Sequence, residues 1–94
     1  MTWKTEKLRR LARVLLSLDT EAAMLAFLRD VATLEELTAL ANRWEIARAI
    51  AADENYRAIA ARCGVSTTTV TRVAHWLKHG RGGYRLVLDR LKKH

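Results

Sequence analysis

An all-α fold of six helices is predicted for this 94-residue chain from three observations. Proline is absent, and the four glycines fall late, at Gly64, Gly80, Gly82 and Gly83, so the strong helix breakers are confined to the last third. Apolar side chains recur at helical rather than strand spacing. Two helical segments also flank a three-residue break, Gly64–Val65–Ser66, which is the layout of a helix-turn-helix.

The elements follow in chain order. Leu8, Leu11, Ala12, Leu15 and Leu18 form a stripe on a first helix, roughly residues 5–17. Asp19 then has the chemistry of an N-cap for a second helix, whose apolar face is Met24, Phe27, Leu28 and Val31. Thr33 and Glu36 have the spacing of a capping box and open a third, longest helix over about 34–52. Leu34, Leu37, Ala41, Trp44, Ala47 and Ala51 line that helix, and Asn55 precedes the fourth. The glycines at 80, 82 and 83 end the fifth. A sixth follows with Tyr84, Val87, Leu88 and Leu91 on one face.

The stretch from Tyr56 to Leu77, YRAIAARCGVSTTTVTRVAHWL, carries the most information about function. Ala60 is small where two helices would cross closely. Gly64 sits where the fourth helix must stop, and the left-handed conformation that stops it is cheap only for glycine. Val65 points inward and Ser66 is a good N-cap for the fifth helix. Ile59, Cys63, Val65, Val70, Val73 and Leu77 form the expected buried seam. That leaves Thr67, Thr68, Thr71, Arg72 and His75 on the opposite face. Threonine is a mediocre helix former, so three in a first turn suggest a use beyond helix formation. Short hydroxyls with one arginine suit a DNA major groove, where they can offer a donor, an acceptor or a methyl to base edges. The helix-turn-helix is placed at about residues 56–79, within a single helical DNA-binding domain over 1–94.

Charge supports a nucleic-acid partner. The chain carries +7 overall, distributed as +4 over residues 1–18, −5 over 19–54 and +8 over 55–94. A merely solvated surface intersperses the two signs, whereas here positive charge gathers around the helix-turn-helix, as an electrostatic footprint on phosphates requires. The basic ends, Lys4 to Arg13 and Arg90 to Lys93, are solvated faces or backbone contacts. A chain this short buries only about 60–65% of its unfolded surface. Fifteen of its residues are alanine, which limits the volume available for a private core. A homodimer is therefore expected. No run approaches the ~18 apolar residues of a membrane span, and the basic segments lack the one-sided Trp/Phe face of an interfacial helix. The absence of a secretory signal, with one cysteine, points to the cytoplasm.

The segments LTALANRWEIARAI and GVSTTTVTRV resemble the Trp repressor-like family, and within it the YerC/YecD-type Trp repressor-related regulators. The resemblance covers about Thr33 to Leu91. It implies an intertwined homodimer presenting two helix-turn-helix units to a two-fold operator. By matching position, it implies base-facing roles for Thr67, Thr68 and Thr71, a DNA-contacting Arg57, and a backbone-contacting Lys78. It also matches Arg43 and Arg72 to the arginines that clasp a corepressor, and Thr33 to a residue near its ammonium end. Two departures matter. Val73 replaces a glycine beside the bound indole, and Trp76 replaces a small serine. Both add volume, and overfilling a packed site costs about 1–3 kcal/mol. Trp76 with Val73 is therefore expected to fill the indole pocket from within, freeing Arg43 and Arg72 for phosphates or for ion pairs such as one with Glu45. The chain is read as a sequence-specific, double-stranded DNA-binding regulator, a repressor, that needs neither tryptophan, another corepressor nor a cofactor.

Other constellations carry less. His75 and His79 have zinc-ligand spacing, but no CxxC or HExxH arrangement accompanies them, so no metal is expected. Cys63 reads as a small buried residue. A chorismate mutase-type enzyme could recruit Arg9, Arg13, Arg43 and Arg48. The chain offers no nucleophile–base pair and leaves the Gly64 turn without a role, so no enzyme is expected. A helical protein-interaction module, anchored by Trp3 or Tyr56, is the alternative that the threonine face disfavours.

Overall fold

The computed structural model describes residues 2–92, which form six helices and no strand. They are α1 (Glu6–Ser17), α2 (Glu21–Val31), α3 (Leu34–Ala51), α4 (Tyr56–Cys63), α5 (Thr67–His79) and α6 (Gly83–Lys92). Contacts divide the chain into two units, one ending at Leu37 and one beginning at Thr38. No helix among the described residues is long and apolar enough to cross a membrane.

In the first unit, side-chain caps set the helix starts. Thr5 lies outside α1 rather than in it, and its Oγ1 accepts the Leu8 N–H at 3.1 Å. The expectation that Asp19 caps α2 is corrected by one residue. Thr20 has the extended backbone a cap needs, and its Oγ1 accepts the Ala23 N–H at 3.0 Å. The capping box at α3 forms as its spacing required. The Thr33 N–H donates to Glu36 Oε1 at 2.9 Å, and the Glu36 N–H donates to Thr33 Oγ1 at 3.1 Å. The bond from the Thr33 backbone, then that from its hydroxyl, holds the Glu36 carboxyl below its ordinary value. Glu6 gathers Arg13 at 2.7 Å and Arg10 at 3.7 Å, so part of the N-terminal basic run is locally neutralised. Neither α1 nor α2 contains a buried residue. Of the α1 stripe, Leu15 and Leu18 are half-buried, while Leu8, Leu11 and Ala12 are exposed. On α2, Met24, Phe27 and Leu28 are half-buried and Val31 is exposed.

The core lies in the second unit. Ile46, Ala47 and Ala49 of α3, Ile59 and Ala60 of α4, and Val70 and Val73 of α5 form one buried cluster. Ile50, Cys63, Val65 and Tyr84 pack against it. The stripe expected on α3 is thus shifted. Ala47 is buried and Leu37 and Trp44 are half-buried, but Leu34, Ala41 and Ala51 are exposed, and Ile46, Ala49 and Ile50 take the inward positions instead. An alanine-rich helix is apolar on more than one arc, and its partners decide which arc is covered. On α6 only Leu88 is buried and Tyr84 half-buried, with Val87 and Leu91 exposed.

The α4–α5 corner follows its sequence closely. Asn55 caps α4, its Oδ1 accepting the Arg57 and Ala58 N–H groups at 2.9 and 3.2 Å. Gly64 adopts φ 67°, ψ 35°, the left-handed conformation, and the Val65 N–H returns to the Ala60 carbonyl at 3.0 Å. Ser66 caps α5, its Oγ accepting the Thr69 N–H at 3.2 Å. A second left-handed position ends α3 at Asp53, with φ 61°. Here the Asp53 and Glu54 N–H groups bond the Ile50 and Ala49 carbonyls at 3.0 and 3.1 Å.

Nothing lies within 4 Å of a Cβ added at Gly64, so the cost of Gly64→Ala is purely conformational, about 1–2 kcal/mol. Asp53→Gly removes the same strain and raises stability by under about 1 kcal/mol, because glycine's looser unfolded state offsets part of the gain. Urea denaturation of the two variants checks the opposite signs.

Candidate nucleic-acid interface

Helix α5 has one buried side, made by Val70, Val73, Ala74 and Leu77. Because 3.6 residues complete a turn, Thr68, Thr71, Arg72 and His75 turn away from that side, whereas Thr67 lies nearer the angle of Ala74 at the start of the helix, and all five are exposed. Ser66 is also exposed, but its hydroxyl is committed to the cap and lies 3.2 Å from Thr69 Oγ1. The Thr71 hydroxyl donates to the Thr67 carbonyl at 3.0 Å. The Thr67 and Thr68 hydroxyls make no such bond among the described residues. Arg57 stands exposed in the first turn of α4, its guanidinium unpaired among those residues. Lys78 is exposed further along α5, where it lines a cleft of about 380 Å³ with Ile50, Asp53, Glu54, Tyr56 and Arg85.

The expected effector residues are partly brought together. Arg43, Arg72, Val73 and Trp76 meet Thr69 and Tyr84 around an open cleft of about 520 Å³. Two cations with a hydroxyl and two aromatic rings suit an amphipathic anion. Neither arginine has an acidic partner among the described residues. The pairing considered for Glu45 goes elsewhere, since its carboxylate binds Arg48 at 2.7 Å. Thr33 is spent on the α3 capping box in the other unit.

Val73 is buried as expected, within the core. Trp76 is not. Its side chain is 59% exposed and forms a wall of the cleft rather than filling it from within. Its other side borders a mainly apolar cleft of about 450 Å³ with Trp44, Gly80, Arg81, Tyr84 and Val87. The reason is register: Trp76 falls one residue before the buried Leu77, and an α-helix turns about 100° per residue. A Cβ at Gly80 would collide with the Trp76 carbonyl oxygen, so glycine is required where α5 ends. The His75 ring meets the Trp76 ring edge-on at 5.2 Å and lies 5.0 Å from His79. No group of three or more His, Cys, Asp or Glu among the described residues could hold a metal ion.

Thr69 and Tyr84 were missed by sequence reasoning. Thr69 was legible in principle, since it sits three and four residues before Arg72 and Val73 on the same helix. Tyr84 arrives from α6, and no local pattern marks it.

A carboxylate–guanidinium pair ties the α3–α4 connection to the last turn of α4. Arg62, in the last turn of α4, binds both oxygens of Glu54, with one bond at 3.3 Å. The hydrogen bond from Arg62 chiefly holds the Glu54 carboxyl below its ordinary value of 4.5. A depressed folded value means the contribution is complete above the unfolded value and is lost as pH falls through the folded one.

Three comparisons bear on this arrangement. Residues 6–92 match the model of the Trp repressor protein family. A Bacillus subtilis protein, the uncharacterized YerC, is 34% identical over 88 residues, which is 94% of this chain and 85% of YerC. Among solved structures, a TrpR like protein from Eubacterium eligens is similar at 35% identity and TM-score 0.91, covering 95% of this chain and 92% of that one. A candidate Trp repressor from Staphylococcus aureus follows at 29% identity and TM-score 0.89, covering 95% and 89%.

Acid should loosen the Glu54–Arg62 tie. The thermal midpoint is expected to fall from about pH 5 toward pH 3, and to fall less steeply in Glu54→Gln, whose amide does not titrate. Unfolding curves across that range check the difference.

Proposed function

The chain belongs to the Trp repressor protein family, whose fold and members are those of regulators, and from that premise we propose that it is a sequence-specific DNA-binding transcriptional repressor. The observation that carries the reading is the exposed hydroxyl edge of α5, backed by a buried apolar edge and held by the Gly64 corner. The helix enters the major groove with Thr67, Thr68, Thr71, Arg72 and His75 toward base edges. Arg57, Lys78 and the surrounding positive charge meet phosphates. Ser66 positions the helix start beside the backbone.

The working unit is a homodimer in the cytoplasm. The leucine stripe of α1 supports this, because Leu8 and Leu11 are 39% and 40% exposed and neither α1 nor α2 buries a residue. Apolar faces of that kind favour a second copy. Two recognition helices then occupy successive major grooves about 34 Å apart, so the bound site is an inverted repeat.

DNA binding does not wait for tryptophan. Val73 occupies core volume where the resemblance implies a glycine, and Trp76 adds a wall where it implies a small side chain. Arg43 and Arg72 have no acidic partner among the described residues, which leaves Arg43 for phosphates and Arg72 for base edges, and Thr33 serves its helix cap.

Selection from a random duplex pool at two salt concentrations is expected to return an inverted repeat. Thr68→Ala lowers affinity for that repeat by about tenfold while non-specific binding stays, as a lost base contact should. Lys78→Ala weakens all sequences alike and flattens the log–log salt dependence by about 0.9. Gel shifts that stay blank at low salt overturn the proposal. Isothermal titration with millimolar tryptophan is expected to give no saturable heat, and a binding isotherm would overturn the effector-free reading.

A further inference from the structure

We propose that Thr71 recognises the C5 methyl group of a thymine, through its own Cγ2 methyl rather than its hydroxyl. This rests on α5 being the recognition helix, and it assigns a chemical target to one residue of that helix.

The threonines of the exposed edge are alike in sequence and unlike in what they can offer. Thr67 and Thr68 lie in the first turn of α5, where the residues four positions back, Cys63 and Gly64, belong to the preceding helix and its cap. No carbonyl of their own helix is aligned to take their hydroxyl protons, which remain available to a ligand. Thr71 is the first threonine on this edge with a helical carbonyl four residues behind it, and its hydroxyl donates there, to Thr67, at 3.0 Å. The β-branch fixes what remains. With Oγ1 turned back on the preceding turn, Cγ2 is staggered away from it, and Thr71 is exposed. The surface therefore presents an apolar methyl at this position, with the polar atom drawn toward the backbone.

In the major groove one base carries a matching apolar group, the C5 methyl of thymine, while the other pairs present donors and acceptors at that edge. Placing a donor or acceptor against the Thr71 methyl would leave that group without a partner in a desolvated contact, which is unfavourable. Turning the hydroxyl outward to serve it would break the bond to Thr67. Both terms favour thymine.

The test uses the full chain and a duplex selected from a random pool, with each thymine replaced singly by deoxyuridine, which removes only the methyl. At one position in each half-site the affinity is expected to fall about fourfold, the value of one desolvated methylene-sized group. Thr71→Ser keeps the hydroxyl and its bond but lacks the methyl, and should bind the thymine and uracil duplexes equally. Thr71→Val keeps the methyl and lacks the hydroxyl, and should retain the discrimination. Circular dichroism confirms folding, and Thr71→Ala replaces whichever variant fails, with the same loss as Thr71→Ser. If the chain binds DNA yet no position distinguishes thymine from uracil, or if discrimination survives in Thr71→Ser or vanishes in Thr71→Val, the assignment is wrong while the recognition helix stands. If no duplex is retained at low salt, both fall together.

Discussion

The α4–α5 corner is the constraint on which the rest depends. A left-handed Gly64 ends one helix, Ser66 caps the next, and Val65 packs between them against the core. Ile59 and Val70 are fully buried on either side, and burial of such side chains is worth about 1.5–3 kcal/mol each. The two helices are thereby held at one angle, and the polar edge of α5 has nowhere to go but outward. A recognition helix needs this rigidity, because base-edge contacts are lost when the supporting frame lets side chains wander.

Around that corner, charges are arranged with different degrees of commitment. Glu6, Glu45 and Glu54 each bind arginines of their own neighbourhood, as the Arg13, Arg48 and Arg62 contacts record. Exposed pairs of this kind contribute little stability, with a median near 0–1 kcal/mol. Their larger effect is to remove those cations from the pool available to a polyanion. Arg43, Arg57 and Arg72 have no such carboxylate among the described residues. Arg57 and Arg72 lie on α4 and α5 themselves, where they remain available to a polyanion. The open cleft between Arg43, Arg72 and Trp76 is the other product of this arrangement, and its aromatic wall separates it from a mainly apolar neighbour.

Local chemistry was legible wherever one residue type has one cheap use. The Thr33–Glu36 box, the Asn55 and Ser66 caps and the Gly64 stop each depend on atoms within a few positions, and each formed as its spacing required. The Asp19 cap failed by a single position because Asp19 and Thr20 are both competent, and backbone direction chose between them. The α3 stripe failed for a different reason. In LTALANRWEIARAI alanine appears on several arcs, so periodicity alone cannot say which arc meets α4 and α5.

The amino-acid order by itself determined the six helices, the corner between α4 and α5 and the family to which the chain belongs, because caps, stops and apolar repeats act over a turn or two. Tertiary packing decided which face of α3 is covered and that Trp76 stands in a wall at the surface. It also brought Tyr84 from α6 to Arg43 and Arg72, and those choices lie beyond local reach. Burial is a competition among surfaces distant in sequence, and the winner is fixed only when all of them are brought together.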